Sequence, residues 1–400
     1  MADRVRTDTT IGIVGGGPAG LMLSHLLALA GIESVVVDNR TYVDIEQTVR
    51  AGVLEQDSVR LLVDSGASDR VVKEGQEHVG VDFAFGGRRH WMDFQALVGA
   101  SVWLYPQTEV FVDLAAARGR AGGDVRFGVS DTAVVDVTTS RPGIVFTDED
   151  GTPHEVRCRY LVGADGSRSI TRREVPAAQR RDYYREYPFA WFGILCDAPK
   201  SAAELIYNHS DRGFALISQR TETVQRMYFQ CDPAEDADAW SDDRIWDELQ
   251  TRLGANGYRL SEGPVTSKAV LPFRSYVCEP MRYGSVLLAG DAAHTVPPTG
   301  AKGLNMALAD VRILAQELER AVRKRDDDAL DEYSRRALSR TWAAQHFTYR
   351  LTSLLHTTPD STDFDVRRQV SELESLFSSE AGSTYLAEAY TGWPTRQTSG

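Results

Sequence analysis

A short apolar run, Ile11–Val14, leads directly into Gly15-Gly16-Gly17-Pro18-Ala19-Gly20, and apolar residues then recur at helical spacing to Ala30, where Gly31 stops them. A second apolar run, Ser34–Val37, ends in Asp38. Few backbones accept this order of residues. Gly15 supplies a tight turn and Gly17 lets a pyrophosphate approach the chain. Gly20 lets helix and strand pack closely, and an acid at the tip of the second strand accepts from ribose hydroxyls. The stretch therefore predicts a β-α-β unit with a dinucleotide at the helix N-terminus, where unpaired N–H groups favour negative charge.

Two further stretches end a strand in an acid. Pro142 to Leu161 reads as a β-hairpin turned at Asp150-Gly151, leading into Gly163-Ala164-Asp165-Gly166. The run Ser285 to Ala289 ends in Gly290-Asp291, stiffened downstream by Pro297 and Pro298. Gly300 and Gly303 then open a helix near Lys302, whose apolar residues Leu304, Ala307, Val311, Leu314 and Leu318 share one face. Residues 49–63 read as an amphipathic helix. Arg50 there is open to two readings, a phosphate partner or a surface charge. Gln107 precedes another helix-like run.

From Phe189 to Val277 the pattern changes to strands, interrupted by one helix from Trp240 to Leu253 with Ser241 as N-cap and Gly254 at its end. Residues 330–390 read as helical. The fold expected is α/β: a Rossmann-like dinucleotide-binding domain over 1–180 and 280–350, an inserted and mostly antiparallel β-sheet substrate domain over 181–279, and a C-terminal helical segment over 351–395.

Composition narrows the function. A net charge of −13 argues against a nucleic-acid surface, so anionic ligands must be held by local arginines. No apolar run approaches the ~20 residues of a membrane span, and MADRVRTDTT carries no apolar signal core, which together point to the cytoplasm. The four cysteines are scattered, form no CxxC pair and read as buried thiols; no metal-ligand spacing is present.

Taken together, GxGxxG with Asp38, Gly163–Gly166 and Gly290-Asp291 before a helix resemble the FAD-binding fold of the flavoprotein aromatic hydroxylases. The similarity runs almost end to end through RAGVLEQ, YPQTEV, YPFAWFG, ELIY, GFALISQR, EPM, AGDAAHTVPPTGAKGLN and SEAGSTYLAEAY, and is narrowest to the members acting on 4-hydroxybenzoate. The resemblance implies FAD as cofactor, NADH or NADPH as co-substrate, and oxygen transfer through a flavin C4a-hydroperoxide to position 3 of 4-hydroxybenzoate, giving 3,4-dihydroxybenzoate.

Site residues follow from the same resemblance. Ser218 and Arg220 match the pair that holds the substrate carboxylate, with Tyr228 joining them. Tyr207 matches the tyrosine at the phenol oxygen; Tyr390 and His78 match the groups that carry its proton to solvent; Pro298 and Thr299 border the substrate. FAD contacts fall on Gly15, Gly17, Gly20, Asp38, Arg50, Gln107, Asp165, Arg226, Asp291, Gly303, Leu304 and Asn305. Nicotinamide contacts fall on Arg40, Asp44, Arg172 and Arg274. The segment 39–48 departs from NADPH-preferring members: it offers Arg40 against Asp44 and Glu46, and Thr48 stands where such members carry an arginine. NADH is therefore expected to serve at least as well as NADPH.

Other readings give the chemistry different limits. The same reaction on 4-aminobenzoate or a 3-substituted 4-hydroxybenzoate uses the same pocket. A plain nicotinamide dehydrogenase has no use for the second and third acidic turns, and a flavin-binding regulator would show no substrate-stimulated oxidation of NADH. The partners expected are a small aromatic carboxylate and O2, with no nucleic acid and no membrane; a homodimer is compatible with the sequence.

Overall fold

The computed structural model describes residues 4–48 and 52–393 and divides the chain into two compact units. The first is built from Met1–Gln76, Tyr105–Arg185 and Ser275–His346, the second from Glu77–Leu104, Glu186–Arg274 and Phe347–Gly400. The insert expected over 181–279 is thus joined by two further stretches, 77–104 and the end of the chain.

In the first unit, strand Val5–Val14 lies between Ser34–Val37 and Pro153–Gly163, parallel to both. Asp124–Arg126 extends the sheet beyond Ser34–Val37, and Val286–Leu288 extends it beyond Pro153–Gly163, again in parallel. A central parallel strand is covered on both faces, and Ile11, Ile13, Leu161 and Val162 are fully buried. All three acidic turns leave the same end of this sheet: Val14 pairs with Val37 and Gly163, and Gly163 with Leu288. Parallel pairing is what collects distant loops on one rim, the rim where open α/β sheets bind ligands.

The helices follow the sequence closely. Pro18–Leu29 has Pro at its start, and Gln107–Arg120 begins on Gln107 itself. Gly303–Lys324 begins one residue after Lys302. Of residues 49–63, expected as helix, 49–51 lie outside the described residues, and a short strand, Val53–Glu55, precedes the helix Gln56–Asp64. The side-chain amide of Asn305 draws out that strand by accepting from the Glu55 N–H and donating to the Val53 carbonyl, both at 2.9 Å. A short helix, Tyr42–Glu46, occupies the segment after Asp38.

The second unit centres on a sheet in which Val224–Cys231, Gly213–Gln219, Ile206–Ser210, Gly80–Phe85 and Arg88–Asp93 follow one another. Residues 190–197 pair on the far side of Val224–Cys231. Helix Asp242–Gly254, capped by Ser241 as expected, buries Ile245, Trp246, Leu249 and Leu253 into the core that covers one sheet face. One pairing breaks the antiparallel pattern: Ile206–Ser210 runs parallel to Gly80–Phe85. Helices Asp328–Leu355, Asp363–Ser378 and Glu380–Thr391 account for the helical end of the chain. The cysteines are unpaired; Cys158, Cys196 and Cys278 are buried and Cys231 is half-buried.

Candidate active site

The glycines of the first turn divide into two kinds. A Cβ on Gly15 would lie 2.2 Å from the Ala164 carbonyl oxygen, and one on Gly20 1.9 Å from that of Gly15. Gly15 also sits at φ +109°, a conformation that disfavours any side chain. These two are required by packing. A Cβ on Gly17 would meet nothing nearer than the Arg40 guanidinium at 3.9 Å, and one on Gly303 nothing within 4 Å. Those two leave open backbone, as a bound dinucleotide requires. Gly303 starts a helix of 22 residues whose first turn has neither an acidic side chain nor a side-chain cap, so its N–H groups and dipole favour negative charge beside it. These features fit FAD, with its two phosphates and its flavin ring.

Two residues brace the last loop from behind. Lys302 is 1% exposed and its ammonium donates to Glu55 at 2.5 Å. Burial pulls the lysine below its ordinary pKa, and Glu55 opposes that pull. Asp310 accepts from the Gly290 N–H at 2.9 Å and from His294 Nε2 at 2.6 Å. For His294, burial disfavours the charged ring, but Asp310 outweighs it and the pKa is raised. The Gly290–Ala292 turn is therefore fixed by a buried ion pair. Asp291 lies within this turn and is half-buried, whereas Thr299 is wholly buried beside half-buried Pro298.

Several expected contacts have protein partners. The Asp165 carboxylate accepts from Ser169 Oγ, the Ile170 and Thr171 N–H groups and Thr171 Oγ1, at 2.6–3.2 Å, and so organises the turn after it. Arg172 donates to the Ala292 carbonyl at 2.5 Å and the Ser167 carbonyl at 2.8 Å, tying two acidic turns together. Asp44 closes a capping box with Thr41, and those hydrogen bonds hold its carboxyl below the usual range. Gln107 and Leu304 are half-buried, Arg274 is exposed, and Arg50 lies outside the described residues.

In the second unit the expected substrate residues fall on neighbouring strands. Leu216 is opposite both Tyr207 and Tyr228, and Ser218 is opposite Arg226. Directly paired residues point to the same face, so Tyr207, Tyr228, Ser218 and Arg226 share one. Arg220 stands just past the strand end, yet its N–H still bonds to the Val224 carbonyl at 2.8 Å and prolongs the ladder. Burial first, and then Arg226, lower the Arg220 pKa. Two guanidinium groups held close in a desolvated place favour an anion between them. The Arg226 guanidinium lies 5.2 Å from the Tyr228 ring centre.

Tyr207 sits one strand over. Its hydroxyl is 3.0 Å from that of Tyr390, and both side chains are 2% exposed. Burial raises the Tyr207 pKa against the pull of Tyr390; burial, Tyr207 and Glu204 all raise that of Tyr390. The pair therefore keeps its protons at neutral pH. His78, also 2% exposed, places its Nδ1 against the Glu204 carboxylate. Tyr207, Tyr390, His78 and Glu204 thus belong to one unit. Along a strand two residues advance about 7 Å, so Ser218 lies about one such step from the level of Leu216 and Tyr207.

Sequence reasoning missed three parts of this site. Gly193 lies opposite Tyr228, and a Cβ there would be 2.9 Å from two carbons of that ring. Trp191 lies 4.8 Å from the Tyr228 ring and stacks on Phe214 at 5.3 Å, while its Nε1–H donates to His356 Nε2 at 2.8 Å. Glu204 is the third. YPFAWFG and ELIY carried Trp191, Gly193 and Glu204 in plain view, but their roles depend on cross-strand register.

A family model described as "FAD binding domain" matches residues 8–348. The chain is 40% identical over 388 residues to a p-hydroxybenzoate hydroxylase of Acinetobacter baylyi, covering 96% of each. It is 27% identical to a probable NADH-specific resorcinol 4-hydroxylase of Rhodococcus jostii, over 82% of this chain and 62% of that one. Among solved structures, a p-nitrophenol 4-monooxygenase of Pseudomonas putida superposes with a TM-score of 0.78 at 19% identity, over 98% of this chain and all of that one.

Proposed function

The chain belongs to the FAD-dependent aromatic hydroxylases, and from that premise we propose how its residues hydroxylate 4-hydroxybenzoate at position 3, with NAD(P)H and O2 as co-substrates and 3,4-dihydroxybenzoate as product. The observation that carries the substrate is the shared sheet face: a desolvated cationic end at Ser218, Arg220 and Arg226, and a buried hydroxyl pair at Tyr207 and Tyr390 one strand away. FAD, when bound, supplies the hydride and oxygen chemistry.

The protein positions the ring and governs its proton. Arg220 offers a planar fork to the carboxylate, Ser218 and Tyr228 add hydroxyl donors, and Gly193 makes room for the Tyr228 ring. At the other end the phenol must lose its proton, because a phenolate directs attack to the adjacent ring carbon. An unperturbed phenol titrates near ~10. Neutral Tyr207 donates to the phenolate and lowers that value, and Tyr390, with His78 paired to Glu204, carries the proton away. The open backbone at Gly17 and the uncapped start of Gly303–Lys324 hold the cofactor; Gly15, Gly20, Asp165, Arg172 and Asn305 shape the loops around it. A cytoplasmic homodimer completes this reading, and sedimentation velocity tests the dimer.

The deciding experiment follows NADH and NADPH oxidation by the FAD-loaded protein with a panel of 4-substituted benzoates and identifies products by mass spectrometry. 4-Hydroxybenzoate is expected to give the highest kcat/KM and 3,4-dihydroxybenzoate as main product. A larger value with 4-aminobenzoate or a 3-substituted 4-hydroxybenzoate would reassign the substrate.

A further inference from the structure

We propose that Arg40 belongs to the adenosine-diphosphate end of the FAD site, held there by Asp38, and does not select between NADH and NADPH. The inference rests on the FAD site described above. Asp38 is at the tip of its strand, with a side chain only 3% exposed. Its Oδ1 accepts from the Arg40 N–H at 2.8 Å and from Arg40 Nε at 3.2 Å; its Oδ2 accepts from the Gly16 N–H at 2.7 Å and from Arg40 Nη2 at 3.0 Å. A carboxylate accepts about four hydrogen bonds. The acid expected to receive ribose hydroxyls is therefore satisfied by the protein's own donors.

The arginine presents the complementary face. A guanidinium has five N–H groups in a rigid plane, and Asp38 engages the Nε–Nη2 edge, which fixes the plane's orientation. Nη2 lies 3.9 Å from where a Cβ on Gly17 would be, and Gly17 is the open point of the turn. The side chain is 42% exposed, so a ligand can reach it. A cation locked beside the place where a pyrophosphate meets the backbone is positioned for phosphate and ribose oxygens. Serving the 2′-phosphate of NADPH instead would require Arg40 to leave Asp38, stripping two donors from a buried carboxylate, which is unfavourable.

The test uses apoprotein freed of FAD and titrated with FAD, followed by flavin fluorescence, and with ADP, followed by calorimetry. Arg40→Gln is expected to raise the Kd for FAD at least tenfold and that for ADP by a similar factor. Asp38→Asn, which loosens the arginine, is expected to act in the same direction, and the double variant to be little worse than either alone. With FAD saturating, the NADPH to NADH ratio of kcat/KM in Arg40→Gln should stay within twofold of the parent. An FAD Kd within twofold of the parent, or a coenzyme ratio shifted fivefold or more, overturns the proposal. No aromatic substrate enters the binding titrations, so they stand apart from the hydroxylation reading.

Discussion

Arg220 and Tyr207 mark the two ends of the proposed substrate, and each has its own signature. Replacing Arg220 by Lys keeps one charge but loses the fork, so 4-hydroxybenzoate should bind roughly ten- to a hundredfold more weakly, about 1.4–2.8 kcal/mol. FAD content should be unchanged, and an equilibrium titration with parental affinity would remove Arg220 from the carboxylate site. Tyr207→Phe keeps the ring stacked on Phe83 at 5.3 Å but removes the hydroxyl shared with Tyr390. The variant should bind substrate and oxidise NADH, yet send most turnover to hydrogen peroxide, and its bound phenol should titrate at higher pH. Parental yield of 3,4-dihydroxybenzoate in that variant contradicts the role. These two residues were named through the family resemblance; strand alternation alone leaves Arg220 as a surface cation and Tyr207 as a core tyrosine, and Arg220 in fact stands one residue past the strand end. Asp38 was legible as an acid at a strand tip, but its four donors were not, since two of them come from the Arg40 side chain folding back on it.

Elements set what single residues can do. Gly193 is the one place in its strand where the facing Tyr228 ring needs an absent side chain. Gly193→Ala must displace that ring, an overpacking cost of typically ~1–3 kcal/mol. The expected outcome is a KM for 4-hydroxybenzoate raised about tenfold, with FAD affinity unaltered; an unchanged KM would show that Tyr228 does not border the substrate. The short helix Tyr42–Glu46 matters for the coenzyme. Its first turn already holds Asp44, whose carboxylate accepts from the Thr41 N–H at 3.0 Å, so an incoming 2′-phosphate meets a like charge there. NADH is therefore expected to serve at least as well as NADPH, judged by kcat/KM for both at matched ionic strength; a tenfold preference for NADPH would refute the repulsion. The glycine turns and long helices could be read from sequence because local sterics dictate them. The Trp191–His356 hydrogen bond could not, because it joins residues 165 apart through a shared core.

Across the whole molecule, buried histidines give stability opposite slopes on the two sides of neutrality. Burial pushes His356 down to about 3, so its ring is neutral in the fold and accepts from Trp191. The unfolded chain takes up that proton below pH ~6.5, so stability falls as pH drops from ~6.5 toward ~3, by up to ~1.4 kcal/mol per pH unit. His294 has a raised value beside Asp310; its contribution is complete below ~6.5 and is lost as pH rises through its folded value. In His356→Gln, Tm should fall less steeply between pH 6 and 4 than in the parent, and equal slopes would show that His356 does not drive the acid loss. The cysteines carry a different consequence. Burial raises Cys158 and Cys231 to about 12, and Cys196 and Cys278 to about 11. Almost none of their sulfur is thiolate at neutral pH, and thiolate is the form that peroxide oxidises. Peroxide released by an uncoupled turnover of the proposed reaction would thus meet almost no reactive sulfur on the protein that made it.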